Sequence, residues 1–263
     1  MLTRVVGLLG YPLSHSLSPR MHNAAFAARA LDWSYVPLAV EAARLEAAAA
    51  GLVALGFAGA NVTIPHKTAI LAFCDELDDV AERAGSVNTL VVRDGRLVGS
   101  STDGAAVVAG INAEGARALV VGAGGAAQAV AAALVEAGCA SLRIGARDAA
   151  RARALAARLA SVFPERDAGA GETWPPDAGD ATIVVNATPL TDERVFEPAA
   201  GQTVVDLAYR PDGEPTALVA AARERGCRVV DGLDILVAQG AASFERWTGV
   251  PAPTDVMRAA VRR

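Results

Sequence analysis

The sequence predicts an α/β protein of two α/β domains with a cleft between them. The N-terminal domain is expected to carry a mainly parallel sheet and the second a Rossmann-like sheet. Three observations predict this. The chain has 263 residues, which at roughly 150 residues per domain allows one large domain or two modest ones. Short β-branched or aliphatic runs alternate with longer Ala/Leu/Arg segments almost throughout, the rhythm of βαβ units. A glycine turn, Gly122-Ala123-Gly124-Gly125-Ala126, stands directly after one such run and before an apolar helix.

In the first hundred residues the expected strands are Val5 to Leu9, Tyr35 to Val40, Ala60 to Thr63 and Leu90 to Val92, with Leu97 to Gly99 returning through an Asp94-Gly95 turn. Helices fit over Pro19 to Leu31 and Glu41 to Leu55, with a shorter one after Pro65. Ser18 followed by Pro19 reads as an N-cap with proline at the first helical position. Further on, strands are expected at Leu119 to Val121, Leu142 to Ile144, Thr182 to Asn186, Thr203 to Leu207 and Arg228 to Val230. Five strands separated by helices suffice for an independent nucleotide-binding sheet. The Gly/Pro/Ala-rich segment Asp167 to Asp180 reads as a loop around an edge element.

Composition narrows the function classes. Hydrophobic residues make up 52% and charged ones 20%, which excludes an intrinsically disordered chain. Aromatics are only 5%, so the core must be aliphatic. The net charge of −5, without a basic block, lacks the footprint of a nucleic-acid or anionic-membrane binder. Cys74, Cys139 and Cys227 lie far apart, with no CxxC or Cys/His cluster, so neither a disulfide framework nor a metal site is expected and a reducing cytoplasm is. The first ten residues do not read as a signal peptide. Ala118 to Val135 carries no charge and reaches the roughly 18-residue length of a candidate membrane span. Gly122, Gly124, Gly125 and Gln128 interrupt it, so strand, turn and buried helix is the better reading.

The turn matches G-x-G-x-x-G/A, with Ala127 in the third position. Its first glycine permits the tight turn, the second lets backbone approach a pyrophosphate, and the small third residue allows close helix–strand packing. Phosphates would then meet free N–H groups and the positive end of the helix macrodipole. At the end of the next strand, NAD sites place a carboxylate for the ribose hydroxyl, whereas a 2′-phosphate needs positive charge. Here Ala146 is followed by Arg147, with Arg151 four residues later, and both could clamp one phosphate. NADP is therefore expected before NAD. Asp148 either caps the following helix or opposes the phosphate.

Four polar clusters interrupt the first hundred residues: Ser14 to Pro19, Asn61 to Lys67, Gly85 to Thr89 and Ser100 to Gly104. Each follows a strand or opens a helix, and the ends of parallel strands are where open α/β sheets bind ligands. Hydroxyls, amides, one ammonium and one carboxylate suit a small polyhydroxylated acid. Taken singly, the serines could equally be caps and turn residues. Lys67 could be a solvated residue at a helix start, and Asp103 an N-cap before Gly104.

The sequence resembles the shikimate dehydrogenase family, within the wider shikimate/quinate dehydrogenase group. The resemblance rests on Ser14-His15-Ser16-Leu17-Ser18-Pro19 with His22-Asn23, on Asn61-Val62-Thr63-Ile64-Pro65-His66-Lys67, on Val87-Asn88-Thr89 and on Thr102-Asp103-Gly104. It continues through Gly122 to Ala126, Asn186-Ala187-Thr188-Pro189, Asp206-Leu207-Ala208-Tyr209-Arg210-Pro211, and Asp231-Gly232-Leu233 through Gln239 to Trp247-Thr248-Gly249. These motifs occur in the family's order over nearly the whole chain. The chain departs from the family in having Ser101 for an asparagine, Leu190-Thr191-Asp192-Glu193 where a Gly-Met pair is usual, and Ala146-Arg147-Asp148 where Asn-Arg-Thr is common.

The resemblance implies that residues 1–103 form the substrate and catalytic domain, completed by C-terminal helices in 233–263, and that 104–232 form the Rossmann-like NADP domain. It implies that Ser16 and Ser18 hold a substrate carboxylate, that Thr63, Asn88 and Gln239 bind ring hydroxyls, that Gln239 comes to lie opposite Ser16, and that Tyr209 adds a contact. Lys67 and Asp103 match the family's catalytic pair and also touch substrate. Gly122, Ala123, Gly124, Gly125 and Ala126 match the pyrophosphate loop, Ala146, Arg147 and Arg151 the 2′-phosphate side, and Leu207 and Gly232 the nicotinamide end. The expected activity is cytoplasmic, NADP-dependent interconversion of 3-dehydroshikimate and shikimate, a step of chorismate and aromatic amino acid biosynthesis. The cofactor performs the hydride half, and Lys67 or Asp103 the proton transfer. Alternatives are a quinate or aminoshikimate dehydrogenase, NAD-using in some cases, and a silent cofactor-sensing module. The expected partner is the small-molecule substrate, with no nucleic acid, membrane or metal, in a monomer or homodimer.

Overall fold

The β-branched and aliphatic runs become two six-stranded sheets in a computed structural model that describes residues 2–171 and 173–262. The chain divides into two units, Met1–Thr102 with Leu236–Arg263, and Asp103–Ile235.

The first unit opens with β1 (Arg4–Gly10), α1 (Ser18–Ala28) and β2 (Trp33–Ala39). A 3-10 turn at Ala42–Arg44 leads into α2 (Leu45–Ala54), then β3 (Gly59–Val62) and a second 3-10 segment, Ala69–Phe73. β4 (Glu76–Leu77), α3 (Asp79–Ala84), β5 (Thr89–Arg93) and β6 (Arg96–Ser100) complete the series. The sheet order is β2-β1-β3-β5-β6-β4. It is parallel at β1–β2, β1–β3 and β4–β6 and antiparallel at β3–β5 and β5–β6. Asp94 and Gly95, at φ 52° and 73°, supply the two left-handed residues that a tight β5–β6 hairpin requires. Leu45, Ala49 and Leu52, at helical spacing on α2, pack with Leu9, Val62 and Leu90 in the core. Burial of each such leucine stabilises the fold by roughly 1.5–3 kcal/mol.

Three sequence expectations are corrected in this unit. The N-cap of α1 is Leu17, without a side-chain cap, and Pro19 lies one position further in; Ser18 is already helical, and the Ser16 Oγ accepts from the Ser18 N–H at 3.3 Å instead. The single helix expected over Glu41 to Leu55 is broken into a 3-10 turn and α2. The segment after Pro65 is 3-10 rather than α.

The second unit runs α4 (Asp103–Val108), β7 (Arg117–Val121), α5 (Gly125–Glu136), β8 (Ser141–Gly145), α6 (Ala149–Val162), β9 (Ala168–Ala170), β10 (Ile183–Asn186), β11 (Thr203–Asp206), α7 (Ala217–Glu224) and β12 (Arg228–Val230). Its order β12-β11-β10-β7-β8-β9 is parallel at every pairing. Numbered from β7, this is the doubly wound dinucleotide-binding order, whose ligand crevice lies where the winding reverses, here between β7 and β10. The uncharged run at Ala118 to Val135 is β7, the turn and α5, and among the described residues no helix is long and apolar enough to cross a membrane. β9 is the edge element within the Gly/Pro-rich segment. The chain closes with α8 (Gly232–Thr248) and α9 (Thr254–Val261).

Candidate active site

In the first unit the ends of β3, β5 and β6 carry three of the four polar clusters, and the fourth, Ser14 to Pro19, leads into α1. Asn88 is buried just before β5, where its backbone N–H donates to Ser100 and its carbonyl accepts from Val62. The Asn88 Oδ1 accepts from the Thr102 N–H at 2.8 Å. Its Nδ2 donates to the Thr102 Oγ1 at 2.8 Å and to the Gln239 Oε1 at 3.2 Å. Asn88 and Gln239, separated by 151 residues, therefore meet through their side chains. The Thr102 Oγ1 also lies 3.2 Å from the Gln239 carbonyl.

Thr63 and Lys67 flank a short loop after β3. The Thr63 N–H donates to the Leu9 carbonyl, and the Thr63 carbonyl accepts from the His66 N–H. The buried His66 ring nitrogen sits 2.6 Å from the Val40 carbonyl, and the Lys67 carbonyl accepts from Val87 N–H at 2.8 Å. These bonds hold the loop against the segment that carries Asn88. Lys67 is half-buried. Ser16 is half-buried and Ser18 buried at the start of α1.

In the second unit the glycine turn takes the shape an anion needs. Gly122 sits at φ 123°, and a Cβ there would lie 3.1 Å from the Ala187 carbonyl oxygen, so only glycine lets the loop after β7 pass the loop after β10. A Cβ on Gly124 would meet nothing within 4 Å. α5 starts with neither a side-chain cap nor an acidic residue in its first turn, which leaves its N–H groups and macrodipole available to phosphate oxygens. Ala146 is half-buried after β8, while Arg147 and Arg151 are exposed. Arg151 Nη2 reaches the Ala123 carbonyl at 3.4 Å, which brings the arginine to the glycine turn. The Asp148 carboxylate caps α6, accepting from the Ala150 and Arg151 N–H groups at 3.0 and 3.2 Å; of its two readings, the cap is the one realised.

Asp103 is buried as the first residue of α4. Gly104 beside it is a packing requirement, since a Cβ would stand 2.4 Å from the Ala129 carbonyl of α5. Leu207 and Tyr209, both half-buried, come directly after β11. A Cβ on Gly232 would stand 2.2 Å from the Ala208 carbonyl and 3.0 Å from that of Leu207, so α8 begins in contact with the Leu207 loop. That loop is anchored by Asp206, which accepts from Asn186 Nδ2 at 2.8 Å, the Ala208 N–H at 3.0 Å and the Thr216 hydroxyl at 2.5 Å. Burial pushes the Asp206 carboxyl up to about 6 against the opposing effect of these donors. Arg210 pairs with Asp192 and Asp212, which gives the unusual Asp192 a structural partner.

Sequence reasoning gave no role to Thr102, Asn61, Thr89 or Ser243, although three of them lie inside the family motifs. For Thr102 the signal was its place directly before Asp103. For Ser243 there was none, because two of its three side-chain partners, Asn61 and Thr89, lie more than 150 residues away.

Three family models match the chain: the shikimate dehydrogenase substrate binding domain over residues 8–90, shikimate / quinate 5-dehydrogenase over 105–167, and the shikimate 5'-dehydrogenase C-terminal domain over 232–262. A shikimate dehydrogenase (NADP(+)) of Moorella thermoacetica is 46% identical, with 99% of this chain and 93% of that protein covered. The crystal structure of a Thermus thermophilus shikimate 5-dehydrogenase in complex with NADP(H) and shikimate is similar, with a TM-score of 0.83, 36% identity and 99% of each chain covered. A Corynebacterium glutamicum quinate dehydrogenase in complex with NAD gives a TM-score of 0.85 at 32% identity over 98% of each chain.

Proposed function

The chain belongs to the shikimate dehydrogenase family, and from that premise we propose that it interconverts 3-dehydroshikimate and shikimate with NADP(H). The observation that carries the reading is the 46% identity, over 99% of the chain, to an NADP-dependent shikimate dehydrogenase. NADPH supplies the hydride when bound. Gly122, Ala123, Gly124, Gly125 and Ala126 with the uncapped start of α5 take its pyrophosphate, Arg147 and Arg151 beside Ala146 its 2′-phosphate, and Leu207 and Gly232 its nicotinamide end. Ser16 and Ser18 bind the substrate carboxylate, and Thr63, Asn88, Gln239 and Tyr209 its hydroxyls. Lys67 donates to the carbonyl oxygen that becomes the alkoxide, while Asp103 binds the adjacent hydroxyl and orients the lysine. Residues 1–103 with 233–263 serve as the substrate domain and 104–232 as the cofactor domain.

Assays with shikimate and quinate, each with NADP and NAD, test the reading. The largest kcat/KM is expected for shikimate with NADP, and negligible turnover of every combination would overturn it. The likeness to a quinate dehydrogenase bound to NAD is the observation behind the second reading, in which quinate is preferred. Against NAD stand Arg147 and Arg151, with Asp148 committed to capping α6. Arg151→Ala is expected to raise KM for NADP by about tenfold, the scale of one charge-assisted hydrogen bond. KM for NAD should stay the same, and a parallel rise for both cofactors would remove Arg151 from the phosphate site.

A further inference from the structure

The amide groups behind Asn88 can be oriented without ambiguity. The Thr102 N–H can only donate, so the Asn88 atom 2.8 Å from it is the oxygen. The Asn88 carbonyl can only accept, so the Asn61 atom 3.0 Å from it is the nitrogen. The Asn61 oxygen then accepts from the Tyr35 hydroxyl at 2.9 Å, and the Tyr35 ring is stacked on the buried His22 at 4.6 Å and 6°. Asn61 Nδ2 also reaches the Ser243 Oγ at 2.9 Å and the Thr89 Oγ1 at 3.3 Å.

Five oxygens close a ring beside this amide: Asn88 Oδ1, Thr89 Oγ1, Ser243 Oγ, the Gln239 carbonyl and Thr102 Oγ1. Their successive separations are 3.1, 2.8, 3.0, 3.2 and 3.2 Å. Three hydroxyl protons serve the ring, Thr89 and Ser243 turn together, and two arrangements give one hydroxyl proton each to Asn88 Oδ1 and the Gln239 carbonyl. In one, Ser243 donates to Thr89, Thr89 to Asn88 and Thr102 to Gln239. In the other, every donor turns the opposite way, so that Thr89 donates to Ser243, Ser243 to Gln239 and Thr102 to Asn88. If Thr89 and Ser243 instead both turned outward, two hydroxyl oxygens would face each other at 2.8 Å without a proton between them. Asn88 and Gln239 are thus tied into one cooperative circuit, and the proton of Thr102 can serve either of them.

We propose that Asn61, Thr89 and Ser243 are positioning residues for substrate binding, fixing which face of the Asn88 amide and which placement of Gln239 the ring hydroxyls of the substrate meet. The proposal rests on the assignment of Asn88 and Gln239 as hydroxyl-binding groups under the proposed function. Without the Thr89 hydroxyl, the Gln239 carbonyl is the one acceptor left in the ring for the Ser243 proton, and a methyl takes the place of a donor 3.1 Å from the Asn88 oxygen.

Thr89→Val, which keeps the shape and removes the hydroxyl, is expected to raise KM for shikimate about tenfold. It should leave kcat and KM for NADP within about twofold, the pattern of lost uniform binding. Thr89→Ser, which keeps the hydroxyl, should stay within about twofold of the parent in every constant. Ser243→Ala, which removes only a hydroxyl from a helical residue, should move KM for shikimate in the same direction and decides the matter if Thr89→Val does not fold. Equal shikimate KM values for the parent and the hydroxyl-less variants, or equal changes in the KM of shikimate and NADP, would overturn the proposal while leaving the activity in place. A parent protein that does not turn over shikimate would instead remove the underlying assignment.

Discussion

Replacing Lys67 by Ala is expected to lower kcat by about 10²–10⁴-fold, the usual contribution of a positioned proton donor, and to leave NADPH affinity and thermal stability at parent values. The stability part rests on structure. The backbone of Lys67 is held through its carbonyl by Val87, a bond that does not depend on the side chain, and the side chain is only half-buried. The affinity part holds because the glycine turn and arginines lie in the other unit of the chain. Steady-state kinetics with a fluorescence titration of NADPH read both. An unchanged kcat would take Lys67 out of the chemistry, and a matching loss of NADPH affinity would make it a cofactor contact. Asp103→Asn separates the two candidates for the proton, since the true donor is the one whose replacement removes a limb from the pH profile of kcat/KM.

Acidification from pH 7 to 4.5 is expected to weaken one sheet and strengthen the other. His22 is fully buried in the first unit, with neither ring nitrogen partnered among the described residues, and burial pushes it from 6.5 down to about 3. Below pH 6.5 the unfolded chain therefore binds a proton that the folded chain refuses. The first unit loses about 1.4 kcal/mol per pH unit, or about 3 kcal/mol at pH 4.5. Asp206, in the second unit, is raised from 3.8 to about 6, so between those values the folded chain holds the extra proton. Its contribution has the opposite sign: burying the ionised carboxylate costs stability above pH 6, and about 2 kcal/mol of this is recovered by pH 4.5. Hydrogen exchange, corrected for intrinsic rates, should show protection falling in β1–β3 relative to β10 and β11. His22→Phe keeps an aromatic ring against Tyr35 and should abolish the fall, and Asp206→Asn should abolish the gain. Equal changes in both sheets for the parent and both variants would rule these two groups out as the source.

Most of the framework was legible because its signals are local. β-branched runs such as Thr203 to Asp206, the Asp94-Gly95 turn and the glycine turn before α5 each specify their conformation within a few residues. The six-residue α3 and the two-residue β4 were not anticipated, since neither is long enough to show a period. Ser18 followed by Pro19 misled because Ser16, two residues earlier, provides the hydroxyl that accepts its N–H. Within the candidate site, Asn88 stood out through its motif, and the partners of its oxygen, nitrogen and carbonyl became visible only in three dimensions. Ser243 reads as one more small residue on a helix until Asn61, 182 positions earlier, donates to it.

The first unit is finished by Leu236–Arg263, after the whole of the second has been written into the chain. On the ribosome, the unit begun first is therefore the last to be completed, although all six strands of its sheet are written by Ser100. Until α8 emerges, the buried Asn61 lacks the Ser243 hydroxyl and the Leu90 carbonyl lacks the Trp247 N–H that meets it at 2.9 Å. The usual order of synthesis, N-terminal domain first, is inverted here. The Rossmann-like unit is the part able to fold while the chain is still growing, and the first unit waits on its final helices.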